Sequence, residues 1–257
     1  MKFPVFTLEQ VELFFLVFIR VGAILAMIPI IGDRTTPMRV KAGLTILVAA
    51  LVVPFVERPA AYPQDPFGLG LSMAGEVFTG IVLGFAGRIV FAGIQLAGQL
   101  VGFQMGFSIV NIIDPVTSGQ VSIIAELQYL LAGLLFLAVD GHHMMIQAIS
   151  ESYRALPVLG FHVTGGLTQN LVALSGNMFV VAVKISAPIV AALMFANIGL
   201  ALVARTVPQI NIFIVGFPLQ IAIGLIGVGV TLPLFLHLSA GLFSNLPAEI
   251  SLLLRAM

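Results

Sequence analysis

The sequence predicts an all-α, polytopic fold: long, glycine-rich, kinked helices paired as membrane-type hairpins. Three observations carry this. Of 257 residues, 60% are hydrophobic and 9% charged, with a mean hydropathy of +1.14, far too apolar for a soluble domain of this length. The apolar residues come in runs long enough to span a ~30 Å hydrocarbon core. The third is a polar stripe on an apolar helix. With about 100° per residue, Gly80, Gly84, Gly87, Arg88, Gln95, Gly98, Gln99, Gly102 and Gly106 share roughly 120° of the wheel. Glycines four apart let another backbone approach closely, and the amides add polar partners. Such a face presses on protein rather than lipid, either a partner subunit or another helix of the same chain.

Composition excludes several functions. The 11 basic and 11 acidic residues balance, so no electrostatic footprint for nucleic acid is present. Cysteine is absent, which removes disulfides, thiolate metal sites and cysteine nucleophiles. Tryptophan is absent and tyrosine occurs three times. A lipid-facing bundle usually carries an aromatic belt, so much of this surface is expected to meet protein. No cofactor is expected, and one domain is expected over residues 1–257.

In chain order, no Ala-x-Ala site follows the N-terminus, so no cleaved signal peptide is expected. Residues 11–31 form the first apolar segment, with Arg20 near its middle. Such a charge marks a pathway or pairs with a carboxylate on a neighbouring helix; pairing is the favoured reading. The GDRTTPMRVK loop holds Arg34, Arg39 and Lys41, which the positive-inside rule places in the cytoplasm. Residues 42–56 form a shorter apolar segment, and residues 57–70, with three prolines, are expected to be loop. About 36 residues of helix over 71–107 would span ~54 Å, beyond a bilayer. The unbroken glycine face favours one continuous helix, whereas the charge rule favours a hairpin near Ala92-Gly93. Glu76 and Arg88 are too far apart to pair with each other.

The loop SIVNIIDPVTSGQ is irregular by its Asp-Pro and Ser-Gly yet carries Ile109, Val110, Ile112, Ile113 and Val116. It reads as an interfacial re-entrant loop or as a hydrophobic constriction of a pore. Residues 122–139 are apolar and close on Asp140-Gly141-His142-His143. Adjacent histidines point about 100° apart on a helix and cannot share an ion without further ligands nearby, so polar residues at a segment end are the expectation. Residues 144–157 are amphipathic, with Glu151 and Arg154 on the wet face, and residues 160–170 are expected to be loop. Residues 171–203 form a second over-long run with Lys184 and Pro188. Lys184 fits an ion role or, preferably, a carboxylate in a partner. Between 204 and 220, Arg205, Pro208, Gln209, Asn211, Gly216 and Pro218 concentrate breakers and polar groups, which predicts a docked bend rather than a spanning helix. Residues 221–238 form the last long run, broken by Pro233, and 243–257 a short tail.

Four segments carry a family resemblance: RVGAILAMIPIIGDRTTPMRVKAGL, GQLVGFQMGFSIVNIIDPVTSGQ, DGHHMMIQAISESYRALP and ARTVPQINIFIVGFPLQ. In order and spacing they resemble the FliR/SctT family of type III secretion export-apparatus subunits. VPQINIFIVGFP is the most specific piece; DGHH departs slightly from the family's more usual Gly-Gly-His. The resemblance implies a helical subunit of a hetero-oligomeric export gate at the bacterial inner membrane within the flagellar basal body. It further implies FliP and FliQ as partners around a central pore, FlhB as a helper, and exported flagellar proteins as substrates. In that family the loop matching Met105 to Val121, here with Phe107, Ile109, Val110, Ile112, Ile113 and Val116, fills the closed pore. A small-solute or ion transporter needs convergent midplane charges and usually a repeat, and neither is evident. No Ser-Lys, paired-Asp or His-Glu-x-x-His arrangement supports an intramembrane enzyme.

Overall fold

The computed structural model describes residues 7–33, 35–59, 61–63, 65–107, 122–162, 164–207, 209 and 211–257. Among these residues the chain forms seven α-helices and no strand. They are α1 (Leu8–Met27), α2 (Met38–Val52), α3 (Pro66–Gln104), α4 (Ile123–Ala138), α5 (Gly141–Ala155), α6 (Gly165–Thr206) and α7 (Ile212–Arg255), with one 3-10 turn at Val53–Phe55 after α2. By length and composition five helices, α1, α2, α3, α6 and α7, can cross a membrane, or six spans if α4 and α5 count as one broken span. The all-α membrane-type class read from sequence is the one observed.

Helix starts follow local chemistry. Thr7 and Gln10 form a reciprocal capping box at α1. Asp65 accepts the Gly68 N–H at 2.6 Å, with Pro66 at the first helical position. Thr164 accepts the Leu167 N–H at 3.2 Å at the head of α6. These last two caps correct the expected loops 57–70 and 160–170, because α3 begins at Pro66 and α6 at Gly165. The hairpin near Ala92-Gly93 does not form: α3 is one helix of 39 residues. Neither Pro188 nor Pro233 ends its helix, so the last apolar run and the tail are one helix of 44 residues. One missing donor is tolerated in a long helix when neighbours satisfy the freed carbonyl.

The chain divides into two compact units. The first takes the described residues of Met1–Ile89, Asp140–Leu174 and Ser244–Met257; the second those of Val90–Val139 and Ser175–Phe243. In the first, α1 buries Leu13, Leu16, Val17, Val21 and Ile24 as one stripe. Gly80 and Gly84 let α3 approach that helix: a Cβ on Gly80 would lie 2.7 Å from the Arg20 carbonyl oxygen, and one on Gly84 3.0 Å from that of Ile24. Lys41 folds the following turn by donating to the carbonyls of Gly32 and Asp33, both at 2.8 Å. The second unit carries an aromatic cluster in which Phe91 meets Tyr129, Phe136 and Phe243 at ring separations of 5.6, 5.6 and 5.2 Å. Burial is uneven among the spans. In their most apolar windows 61% of α3 is buried against 11% of α7, so α7 leaves a long apolar surface for lipid or protein.

Candidate functional site

The candidate site is the root of the 108–121 segment, in the second unit. The end of α3 is a Schellman motif: the Phe107 N–H bonds the Gly102 carbonyl and the Gly106 N–H bonds the Phe103 carbonyl, both at 3.1 Å. Gly106 has φ +89°, a conformation that other residues adopt at a cost. Here the chain turns off the helix. Met105, just before it, is fully buried with Val101, Ile124, Ile189 and Leu193, and Phe107 packs on the same cluster. Gly224 of α7 provides the seat for Met105, since a Cβ there would lie 2.5 Å from its Cγ and Sδ.

Ser122, the next described residue, lies at the same place. Ser122, which precedes α4, sits against Gly102, where an added Cβ would be 2.9 Å from the Ser122 Cβ; one at Gly98 would be 2.9 Å from the Ala125 nitrogen. The described residues on either side, Phe107 and Ser122, therefore both lie beside Gly102 of α3. Gln128 is buried and Gln95 half-buried near this crossing, while Gln99 is exposed. Ile109, Val110, Ile112, Ile113 and Val116 lie outside the described residues.

The glycine stripe thus meets the chain's own helices: Gly80 and Gly84 face α1, and Gly98 and Gly102 face the start of α4. Gly106 is a helix cap whose added Cβ would also sit 2.9 Å from the Phe217 ring. Of the two readings of that stripe, packing within one chain is the one these contacts support. Met105 likewise belongs to a helix end and a core rather than to the loop.

The predicted bend is shorter than expected. α6 runs through Thr206 and α7 begins at Ile212, so Arg205 lies in the last turn of α6 while Gly216 and Pro218 lie within α7. Pro218, the seventh residue of α7, removes one donor without ending the helix. Gln209 and Asn211 are exposed; Pro208 lies outside the described residues. Below the break Gln220 Nε2 donates to Asn197 Oδ1, joining α6 to α7.

The first unit holds a buried polar hub. The Arg20 and Glu76 side chains are 0% and 1% exposed, with Arg20 Nε 2.5 Å from Glu76 Oε2. Arg20 Nη1 donates to the carbonyls of Leu156 at 2.9 Å and Ser152 at 3.3 Å at the C-terminus of α5, where a cation is favoured; the Ser152 carbonyl also accepts the Leu156 N–H. The guanidinium lies 4.3 Å from the Tyr153 ring centroid, and the Tyr153 hydroxyl donates to the Val17 carbonyl. Glu76 Oε1 accepts the N–H of Leu159 at 3.1 Å, which holds that residue at φ +69°. The hub joins α1, α3 and the end of α5, so Arg20 has the neighbouring-helix carboxylate expected of it. Arg88 is exposed and touches the Met27 sulfur at 3.7 Å; Lys184 is exposed on α6.

At the break before α5, Asp140, His142 and His143 bring one ligand atom each to within 4.8 Å of one another. Asp140 supplies the further ligand that two adjacent histidines lack on a regular helix.

The sequence reading missed Glu76 as the partner of Arg20, the Gly224 seat and the Asn197–Gln220 pair. Only the first had a signal, two lone charges inside apolar runs. A profile described as "Bacterial export proteins, family 1" matches residues 11–246. Among curated relatives, the chain is 37% identical over 216 residues to the flagellar biosynthetic protein FliR of Bacillus subtilis (strain 168), covering 83% of each. It is 32% identical to that of Pectobacterium carotovorum subsp. carotovorum, covering 91% of this chain and 90% of the relative. To that of Escherichia coli (strain K12) it is 30% identical over 246 residues, covering 95% and 94%. With a match across nearly all of its length and helices of spanning length throughout, the chain belongs to the bacterial export proteins, family 1.

Proposed function

We propose that this chain is a core subunit of a flagellar type III protein export gate. It forms with FliP and FliQ, and with FlhB nearby, the pore through which unfolded rod, hook and filament subunits pass. The reading places it in the bacterial inner membrane at the flagellar basal body. The observation that carries it is the family match over residues 11–246, joined to FliR relatives that the chain covers almost end to end.

The geometry supports this reading in two ways. A segment flanked by residues held on one helix, Phe107 by the Gly106 turn and Ser122 against Gly102, is anchored in a way that suits blocking a passage. Dewetted aliphatic side chains such as Ile109, Val110, Ile112, Ile113 and Val116 are an effective barrier to ions. Long, exposed apolar faces on α6 and α7, including Phe179, Phe195, Ile198, Ile214 and Val230, offer surface for neighbouring subunits as well as lipid. A solute transporter would need free charges converging on a site, whereas Arg20 and Glu76 are consumed by each other and by main-chain groups.

A clean deletion tests the proposal. Export of rod, hook and filament proteins should stop while general secretion continues, and purification of the tagged chain should bring FliP and FliQ in a complex of defined mass. Normal filaments in the deletion strain would overturn the reading.

A further inference from the structure

We propose that Asp140, His142 and His143 form a binding site for a divalent transition-metal ion, with Zn²⁺ the fitting occupant, at the first turn of α5. The inference does not depend on the export role. Zinc binds nitrogen at about 2.0–2.1 Å and carboxylate oxygen at about 2.0–2.2 Å, so two ligands on one tetrahedral ion sit roughly 3.3–3.5 Å apart. His143 Nδ1 and Asp140 Oδ1 are already 3.3 Å apart, long for a charge-assisted hydrogen bond and right for a shared ion. All three ligand atoms lie within 4.8 Å, so small rotations of exposed side chains close the set.

Three further features point the same way. Asp140 is in the left-handed region, at φ 56° and ψ 29°, and as the N-cap of α5 its carboxylate makes no capping hydrogen bond. Its usual role at a helix start is given up, and the carboxylate faces His143 instead. His142 Nδ1 is buried with no hydrogen-bond partner among the described residues, an arrangement that folded proteins normally avoid. The two imidazole rings lie 4.3 Å apart between centroids, so the angular offset of adjacent helical residues does not separate them.

Two imidazoles and one carboxylate suit zinc rather than calcium or magnesium, which require oxygen ligands. The positive end of the α5 dipole opposes a cation there, and the Asp140 carboxylate offsets it. With Asp140 and His143 side chains 71% and 66% exposed, the ion is reachable from solvent and its fourth position is open to water. Bound, it would clamp the first turn of α5.

The test uses the full chain without a histidine tag, purified in mild detergent, stripped with chelator, and titrated with Zn²⁺ by calorimetry. Bound metal is measured after desalting, and Co²⁺ substitution provides a spectroscopic signature. One Zn²⁺ per chain is expected, with the visible bands of four-coordinate Co²⁺. H142A, H143A and D140N should each weaken zinc binding at least about tenfold, whereas H162A and H237A should leave it unchanged. Absence of zinc after desalting, zinc binding indifferent to H143A, or binding lost only in H162A or H237A would overturn the site. If a ligand variant fails to fold, the Co²⁺ spectrum of the unaltered chain and the two control variants decide the question.

Discussion

Removing one half of the Arg20–Glu76 pair should be among the most damaging single changes available in this chain. In Glu76→Ala the guanidinium stays where α1 holds it, at 0% exposure, without its carboxylate. Leu159 also loses the acceptor of its N–H. Breaking a buried pair from one side costs about 3–5 kcal/mol, because the surviving charge is left uncompensated. Against a total stability of about 5–15 kcal/mol, that is about a fifth of it or more. Replacing both partners with apolar residues, as in Arg20→Met with Glu76→Leu, removes the stranded charge and should cost less than either single change. The Leu156 carbonyl would still lose its Arg20 donor and the Ser152 carbonyl one of two, so recovery should be partial. Thermal and denaturant unfolding in mild detergent of the unaltered chain, Arg20→Met, Glu76→Leu and the double variant, treated as a double-mutant cycle, with Glu76→Ala alongside, measures this. Raising the salt should change little, since a buried pair is poorly screened. A cost below about 1 kcal/mol for Glu76→Ala, or strictly additive single effects, would refute the hub as an energetic unit.

Other predictions concern the root of the 108–121 segment and its surroundings. Gly102→Leu forces a bulky side chain against Ser122 and should cost about 1–3 kcal/mol or more; because the contact is within the chain, the isolated protein itself should lose yield and melt lower. Met105→Ala empties the seat at Gly224 and should cost about 2–5 kcal/mol by unfolding; an unaltered melt would mean the cluster collapses freely. Deleting Ile109 to Ile113 should make the assembled complex leak small ions, and unchanged membrane conductance with assembly confirmed would count against the plug reading. A cysteine at Gln209 or Asn211 should resist a water-soluble maleimide in the assembled complex but react in the chain alone, where both positions are exposed; rapid labelling in both states would remove the docking idea.

The helical class and the spans were legible because hydropathy is a local property of the chain: 60% apolar residues in long runs leave no soluble alternative. Helix boundaries are less legible, because apolar runs and breakers alone do not carry the capping chemistry that sets them. Asp65-Pro66 and Thr164 carried that chemistry, yet proline and glycine nearby read as loop, so two helix starts were placed late. Pro218 and Pro233 signal breaks that do not form, since a proline in a long helix removes one bond and need not end the element. The candidate site was half legible. The apolar stretch between helices is evident in the sequence, whereas the glycines at its base fit a partner subunit or a helix of the same chain alike.

By itself the sequence determined the membrane-type class, the small-polar face of α3, the need of Arg20 for a carboxylate, and, through its four motifs, the family. What only the tertiary structure decided was who meets whom. Glu76 partners Arg20 across 56 positions of sequence, Met105 fills the notch at Gly224, and Asp140 turns two adjacent histidines into a three-ligand cluster. The physical reason is that periodicity states which face of a helix is buried or polar but carries no address for the surface opposite. A glycine stripe fits a partner subunit or a neighbouring helix of the same chain equally well, and only the packing of α1 and α4 against α3 chooses the second.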